Sequence, residues 1–259
     1  MKIAVTGKGG VGKSTLAGVL AHLAQKDGKT VLAVDSDPDA NLAFALGIPE
    51  AERKQIIPLS QRKELIEERT GAKLKQFGQI FKLNPEISDI VDRFSYNFQG
   101  IHLLVLGAIE TGGSGCACPE NVFLRNLLTY IILKRDEFVL VDMEAGIEHL
   151  GRATAQGVDV MVVVVEPTLQ SIGTAQSIAV LARQIGIPEI RFVGNKIVSD
   201  SDNDYLKNRL GAKDFIGMIP YSESIRISDR DGFALINRID GELQQSFKVI
   251  YQKLLALGK

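Results

Sequence analysis

Cysteine is scarce in this chain. Only two occur in 259 residues, Cys116 and Cys118, which excludes a disulfide-held scaffold. Charge of one sign is not in excess either. Thirty Lys and Arg face 31 Asp and Glu, for a formal net charge of −1, so no overall field draws the chain to nucleic acid. Long apolar runs are missing: the stretch from Met161 to Val165 falls far short of the roughly 20 residues that span a bilayer. The first residues do not read as a secretory leader, because Lys2 opens a short apolar run that breaks at Gly7. No membrane or nucleic acid partner is therefore expected, and the expected compartment is the cytoplasm. In a reducing compartment a close cysteine pair points to metal or redox chemistry rather than to a structural bridge. Repeats and low-complexity tracts are absent as well. What is there is a globular composition, 45% hydrophobic and 24% charged.

Apolar β-favouring runs alternate with helical patterns. Ile3–Val5, Val31–Val34, Leu103–Leu106, Val139–Val141, Val160–Val165, Ile190–Val193 and Phe215–Ile219 read as buried strands. Between them, Ser14–Gln25, Val122–Leu133, Ser171–Ile185 and Asp204–Leu210 read as helices. The order predicts an α/β fold, a mostly parallel β-sheet with helices on both faces, with functional loops at the carboxyl ends of the strands. Residues 1–259 are read as one domain. The stretch from Pro49 to Gly100 is charged and has little strand signal beyond a helix near Leu59–Thr70; it is expected to be an insertion at one sheet edge. Glu242–Leu257 carries Leu243, Phe247, Ile250 and Leu254 on one stripe and is expected to dock on the sheet. His22 and His102 are expected to be structural, and His149 to be hydrogen-bonded or helix-capping.

The segment Gly7-Lys8-Gly9-Gly10-Val11-Gly12-Lys13-Ser14 fits G-x-x-x-x-G-K-[ST], with a strand before it and a helix after. Glycines let backbone N–H groups curl around phosphate oxygens. Lys13 can reach the β- and γ-phosphates, the Ser14 hydroxyl can ligate Mg²⁺, and the helix that follows, including Thr15, directs its positive end at the same anion. Further on, Val139-Leu140-Val141-Asp142 is an acid after an apolar strand. That layout is expected to bring Asp142 to Mg²⁺, directly or through water.

Lys8 is not required by the ordinary motif. With it the loop meets K-G-G-x-G-K-[ST] in full and resembles the deviant Walker A family, which includes MinD, ParA and the nitrogenase iron protein. The resemblance implies a P-loop NTPase of that type, working as an ATP-dependent homodimer in which Lys8 crosses to the partner's nucleotide. Asp35-Ser36-Asp37-Pro38-Asp39-Ala40-Asn41 is similar to the family's switch I, D-x-D-P-x-x-N. By that resemblance Asp37 positions the attacking water and interacts with hydrated Mg²⁺, while Asp35 and Asn41 support it. Met143-Glu144-Ala145-Gly146 departs from the D-T-P-P-G of many relatives, but Gly146 keeps its spacing from Asp142. Resemblance also places Asn195, Pro220 and Tyr221 around the adenine.

Gly112-Gly113-Ser114-Gly115-Cys116-Ala117-Cys118-Pro119 leads a C-x-C into a helix expected to begin near Pro119. A helix N-terminus stabilises thiolates and favours metal binding. Two thiolates are too few for a closed tetrahedral site, and two copies across a symmetric dimer supply four. Soft thiolates suit Ni²⁺, Zn²⁺, Cu⁺ or an iron–sulfur cluster. Taken with Asp142-Met143-Glu144-Ala145-Gly146-Ile147-Glu148-His149-Leu150, the pattern resembles the CooC family of nickel-inserting maturation ATPases, together with the related accessory ATPase of acetyl-CoA synthase. That resemblance implies ATP and Mg²⁺ as cofactors, Ni²⁺ (or Zn²⁺) held by Cys116 and Cys118 at a dimer interface, and carbon monoxide dehydrogenase or acetyl-CoA synthase as the client. The alternatives are an iron–sulfur, ATP-dependent electron carrier and a MinD/ParA-like partitioning ATPase.

Overall fold

The computed structural model describes the chain apart from residues 74–78, 108–117, 146–149, 151, 232, 234, 238, 240 and 259. The chain runs β1 (Lys2–Gly7), α1 (Lys13–Lys26), β2 (Val31–Ser36), α2 (Leu42–Ala45), α3 (Glu50–Arg53), a 3-10 turn (Leu59–Gln61), α4 (Lys63–Thr70), α5 (Ile90–Phe94), β3 (Tyr96–Phe98) and β4 (Ile101–Val105). It continues through α6 (Pro119–Lys134), β5 (Phe138–Met143), α7 (Arg152–Ala155), β6 (Val160–Val165), α8 (Leu169–Ile185), β7 (Ile190–Ile197), α9 (Asp200–Leu210), β8 (Phe215–Pro220), α10 (Glu223–Asp231) and α11 (Gly241–Leu257). Eight strands form one sheet in the order β3-β4-β2-β5-β1-β6-β7-β8. All neighbours pair in parallel except β3 with β4.

Each central strand buries both of its faces. In β1, Ile3 and Val5 join one core and Ala4 the other; in β6, Val160, Val162 and Val164 face the first core while Met161, Val163 and Val165 face the second. Period-two alternation between two apolar environments is why these strands are continuous Val/Ile/Leu runs. On the first face lie α1 and α11, with Leu16, Leu20, Phe247 and Ile250 against the sheet. The other face carries α6 and α8. Fully burying each such side chain contributes roughly 1.5–3 kcal/mol. Leu243, Phe247, Ile250 and Leu254 of α11 are all buried, and Gly217 of β8 has no room for a Cβ because Ile250 Cγ1 would lie 2.3 Å from it.

Described residues of the segment 49–100 pack into the main core. Its residues Leu59, Leu65, Ile66, Ile90 and Val91 belong to the core beneath α6. It ends in β3, the antiparallel edge strand. That strand is three residues long, too short to show periodicity. His22 is buried, with Nε2 2.9 Å from the Leu46 carbonyl. Burial holds its pKa below the usual imidazole value. The His102 ring lies 3.4 Å from Ser95 Oγ. Among the described residues no helix is long and apolar enough to cross a membrane.

From β1 the chain steps to one side, to β2, and later crosses to β6 on the other side. The crevice at the carboxyl ends of β1, β2 and β5 is thus a topological switch point, where open α/β sheets bind ligands.

Candidate nucleotide site

The loop after β1 is shaped by glycine where no other residue fits. Gly7 has φ +148°, and a Cβ there would lie 2.4 Å from the Val164 carbonyl oxygen. Gly12 has φ +97°, and its Cβ would lie 2.4 Å from Asn195 Nδ2. Gly12 is the N-cap of α1, with no side-chain cap and no acid in the first turn. The orphan N–H groups of that turn are therefore left for an external anion. Lys13 and Ser14 occupy this turn, and Gly9, Gly10, Gly12, Lys13, Ser14 and Thr15 line a cavity of about 440 Å³. Val11 points into the core beneath α1, and Lys8 is half-buried at the loop's start.

Switch I sits opposite. Asp35 is fully buried at the end of β2. Its Oδ1 accepts from the Asp37 N–H at 3.2 Å and its Oδ2 from the Leu42 N–H at 2.9 Å, fixing the loop between them. Asp37 Oδ1 accepts from the Asp39 N–H at 3.0 Å, and its Oδ2 lies 3.5 Å from Lys13 Nζ. Asp37 and the more exposed Asn41 line the same cavity. Gly18 of α1 lets α2 approach, since a Cβ there would meet the Ala45 carbonyl at 2.9 Å.

Asp142 lies beneath, at the end of β5, in register with Asp35 on β2. It is fully buried, and among the described residues no donor meets hydrogen-bond geometry with either of its carboxylate oxygens. Burial pushes its pKa up to about 8; the Asp35 charge adds to the rise, while the nearby Ser14 hydroxyl and Lys13 oppose it. Burial also raises Asp35 to about 7, against the pull of its two backbone N–H donors. An orphaned buried carboxylate beside a serine hydroxyl and a second acid is a hard oxygen set, and it fits Mg²⁺. Thr6 Oγ1 donates to the Glu144 carbonyl at 2.8 Å and holds the chain leaving β5. Gly146, Glu148 and His149 lie outside the described residues.

The far wall of the cavity is apolar and was not legible in the sequence. Phe44, Ile225, Phe233 and Leu235 line it, together with Ser228. They come from α2, α10 and the segment beyond it, and no motif marks them. Asn195, Pro220 and Tyr221 do not line this cavity. Asn195 lies behind the loop, its Nδ2 donating to the Val11 carbonyl at 2.7 Å and its Oδ1 accepting from the Lys196 N–H at 2.8 Å. A primary amide has a second N–H and a second lone pair beyond these two bonds. Tyr221 is more than half exposed, and its N–H donates to the Ile197 carbonyl at 2.8 Å.

Cys116 lies outside the described residues. Cys118 is the half-buried N-cap of α6, with φ −77° and ψ 147°, followed by Pro119 in the first turn. Its carbonyl accepts from the Val122 N–H at 3.1 Å. Among the described residues no group of three or more His, Cys, Asp and Glu could hold a metal ion.

A glycine loop at the carboxyl end of the central strand, with Lys13 and Ser14 opening a helix and acids on two neighbouring strands, defines a P-loop ATPase. Residues 2–235 match the family model for the CobQ/CobB/MinD/ParA nucleotide binding domain. The carbon monoxide dehydrogenase accessory protein CooC of Rhodospirillum rubrum is 46% identical over 234 residues, covering 90% of this chain and 89% of that protein. An uncharacterised ATP-binding protein of Methanocaldococcus jannaschii is 44% identical over 260 residues, covering 99% and 98%. Among solved structures, the septum site-determining protein MinD complexed with Mg-ADP, from Pyrococcus horikoshii, superposes with a TM-score of 0.67 at 20% identity, covering 98% and 97%. The chain belongs to the CobQ/CobB/MinD/ParA family, as a CooC-type deviant Walker A ATPase.

Proposed function

We propose that this ATPase is a homodimeric metallochaperone that delivers Ni²⁺ to carbon monoxide dehydrogenase or acetyl-CoA synthase. The observation that carries the reading is the Cys116-Ala117-Cys118 lead-in to α6, in a chain 46% identical to a carbon monoxide dehydrogenase accessory protein. All 259 residues act as one ATPase unit, with 49–100 as an insertion within it.

In this reading Lys13 and the loop amides from Gly7 to Thr15 hold the ATP phosphates. Lys8 reaches the nucleotide of the partner subunit, and Asp37 orients the attacking water. Ser14, Asp37 and Asp142 hold Mg²⁺, the acids directly or through water. A Mg²⁺ ion held by these residues would supply neutralisation of the phosphate charge. Asn195, Pro220 and Tyr221 flank the base, Asn195 with the part of its amide that the loop leaves free. Cys116 and Cys118 of each chain supply two thiolates, and two chains together supply four for the nickel cargo. Whatever favours the dimer, ATP included, then favours nickel binding, and nickel favours ATP by the same factor. Hydrolysis relaxes the switches and releases the ion to the client.

The test is activation of the client. Nickel-free carbon monoxide dehydrogenase and acetyl-CoA synthase are each incubated with limiting Ni²⁺, ATP and this protein. One of them should gain activity with the wild type and not with Cys116→Ser or Asp37→Ala. Equal activation without the protein would refute the reading.

A further inference from the structure

A short chain of bonds joins Gly10, Lys196 and Glu166 behind the phosphate loop. Lys196 Nζ donates to the Gly10 carbonyl at 2.9 Å and to Glu166 Oε2 at 2.9 Å. The three residues come from different places: the loop after β1, β7, and the position after β6.

The backbone around Lys196 is bent to make this reach. Pairing of β7 with β8 shifts register between Gly194 and Ile197. Lys196 itself sits at φ +58°, a left-handed conformation uncommon for a residue with a side chain. Irregularities of this kind beside a site re-aim side chains. Here Asn195 holds the Val11 carbonyl and Lys196 holds the Gly10 carbonyl, so two successive loop carbonyls are gripped from behind. In a trans peptide the C=O and the following N–H point opposite ways. Holding the Val11 carbonyl away therefore turns the Gly12 N–H toward the cavity that Gly12 lines. Glu166 is itself anchored, its N–H donating to Ser171 Oγ at 3.1 Å in the first turn of α8. Its side chain is 17% exposed and that of Lys196 46%, so water screens the pair from the lysine side and the geometry of its two bonds matters more than its charge.

We infer that Lys196, held by Glu166, is a positioning residue that sets the phosphate loop in its anion-binding shape before nucleotide arrives. It touches no phosphate; it acts through the Gly10–Val11 peptide, whose N–H closes the loop's turn by donating to the Lys8 carbonyl at 3.3 Å. The inference rests on the ATPase site alone and is independent of the cysteines and of nickel. A preset loop serves ATP and ADP alike, so its loss removes uniform binding. That raises KM and spares kcat.

The experiment is steady-state ATP hydrolysis and ADP affinity for the full chain and three variants. Lys196→Met should raise KM for ATP about five- to twentyfold and weaken ADP by a similar factor, with kcat within about twofold. Lys196→Arg keeps a cation that can donate to both oxygens and should restore most of the affinity. The double variant Lys196→Met/Glu166→Gln should be no weaker than Lys196→Met, because the pair acts as a unit. An unchanged KM in Lys196→Met, a fall in kcat without a change in KM, or no rescue by arginine would overturn the inference. If Lys196→Met does not fold, Glu166→Gln alone decides: a KM raised severalfold supports it and an unchanged KM overturns it.

Discussion

Lys13 Nζ lies 3.5 Å from Asp37 Oδ2, with both side chains almost buried. An incoming phosphate must therefore compete with Asp37 for the lysine that binds it. The salt bridge joins the phosphate loop to switch I directly, so phosphate arriving at Lys13 changes the partner of the carboxylate assigned to the attacking water.

The first prediction follows from that competition. Asp37→Asn removes the rival charge and the water-positioning group together. ATP binding measured without Mg²⁺, which Asp37 also helps to hold in this reading, should be retained or tightened, while turnover with Mg²⁺ should fall by about 10²- to 10⁴-fold. Titration calorimetry and phosphate release measure the two quantities separately. Wild-type turnover would contradict the role of Asp37.

The buried pair Asp35 and Asp142 predicts a pH dependence of stability. Their pKa values, raised to about 7 and about 8 from 3.8, mean that the folded chain holds more protons than the unfolded chain between those limits. Stability therefore falls as pH rises through that window. In Asp142→Asn, measured without nucleotide or Mg²⁺, one of these groups no longer titrates. The variant should melt above the wild type at pH 8, with the gap closing toward pH 5. Melting curves that stay parallel across this range would contradict the burial argument.

Two glycines of the same loop should behave differently. Gly12→Ala places a Cβ 2.4 Å from Asn195 Nδ2 at φ +97°. It should cost about 1–3 kcal/mol of stability and abolish ATP binding. Gly9 meets nothing within 4 Å of its Cβ position, so Gly9→Ala should unfold within about 0.5 kcal/mol of the wild type. Chemical denaturation of both variants checks this, and equal losses would contradict it.

The sequence showed the seven longer strands because each carries a run of apolar residues that pack into the cores on the two faces of the sheet. It did not show β3, which pairs for only three residues. Nor did it show α10, where Ile225 is set among Ser, Arg and Asp residues. The phosphate loop was legible because contiguous backbone makes it, and a fixed spacing of glycines records its shape. The apolar wall of Phe44, Ile225, Phe233 and Leu235 was not, because chain folding alone gathers residues from such distant segments. The Glu166–Lys196 pair was hidden for the same reason. Thirty positions separate the two, and only the parallel pairing of β6 with β7 brings them side by side.

In the function proposed above, two chains share a nickel site built from Cys116 and Cys118. The most direct measurement is the nickel-to-protein ratio of the anaerobically purified protein, stripped of metal and then loaded with Ni²⁺, for the wild type and Cys116→Ser. A shared site should hold about one tightly bound Ni²⁺ per two chains. Cys116→Ser should lose the ion and still bind ATP. Nickel unchanged in Cys116→Ser, or no nickel in the wild type, would contradict the shared site; so would an iron–sulfur cluster formed in its place on reconstitution with iron and sulfide.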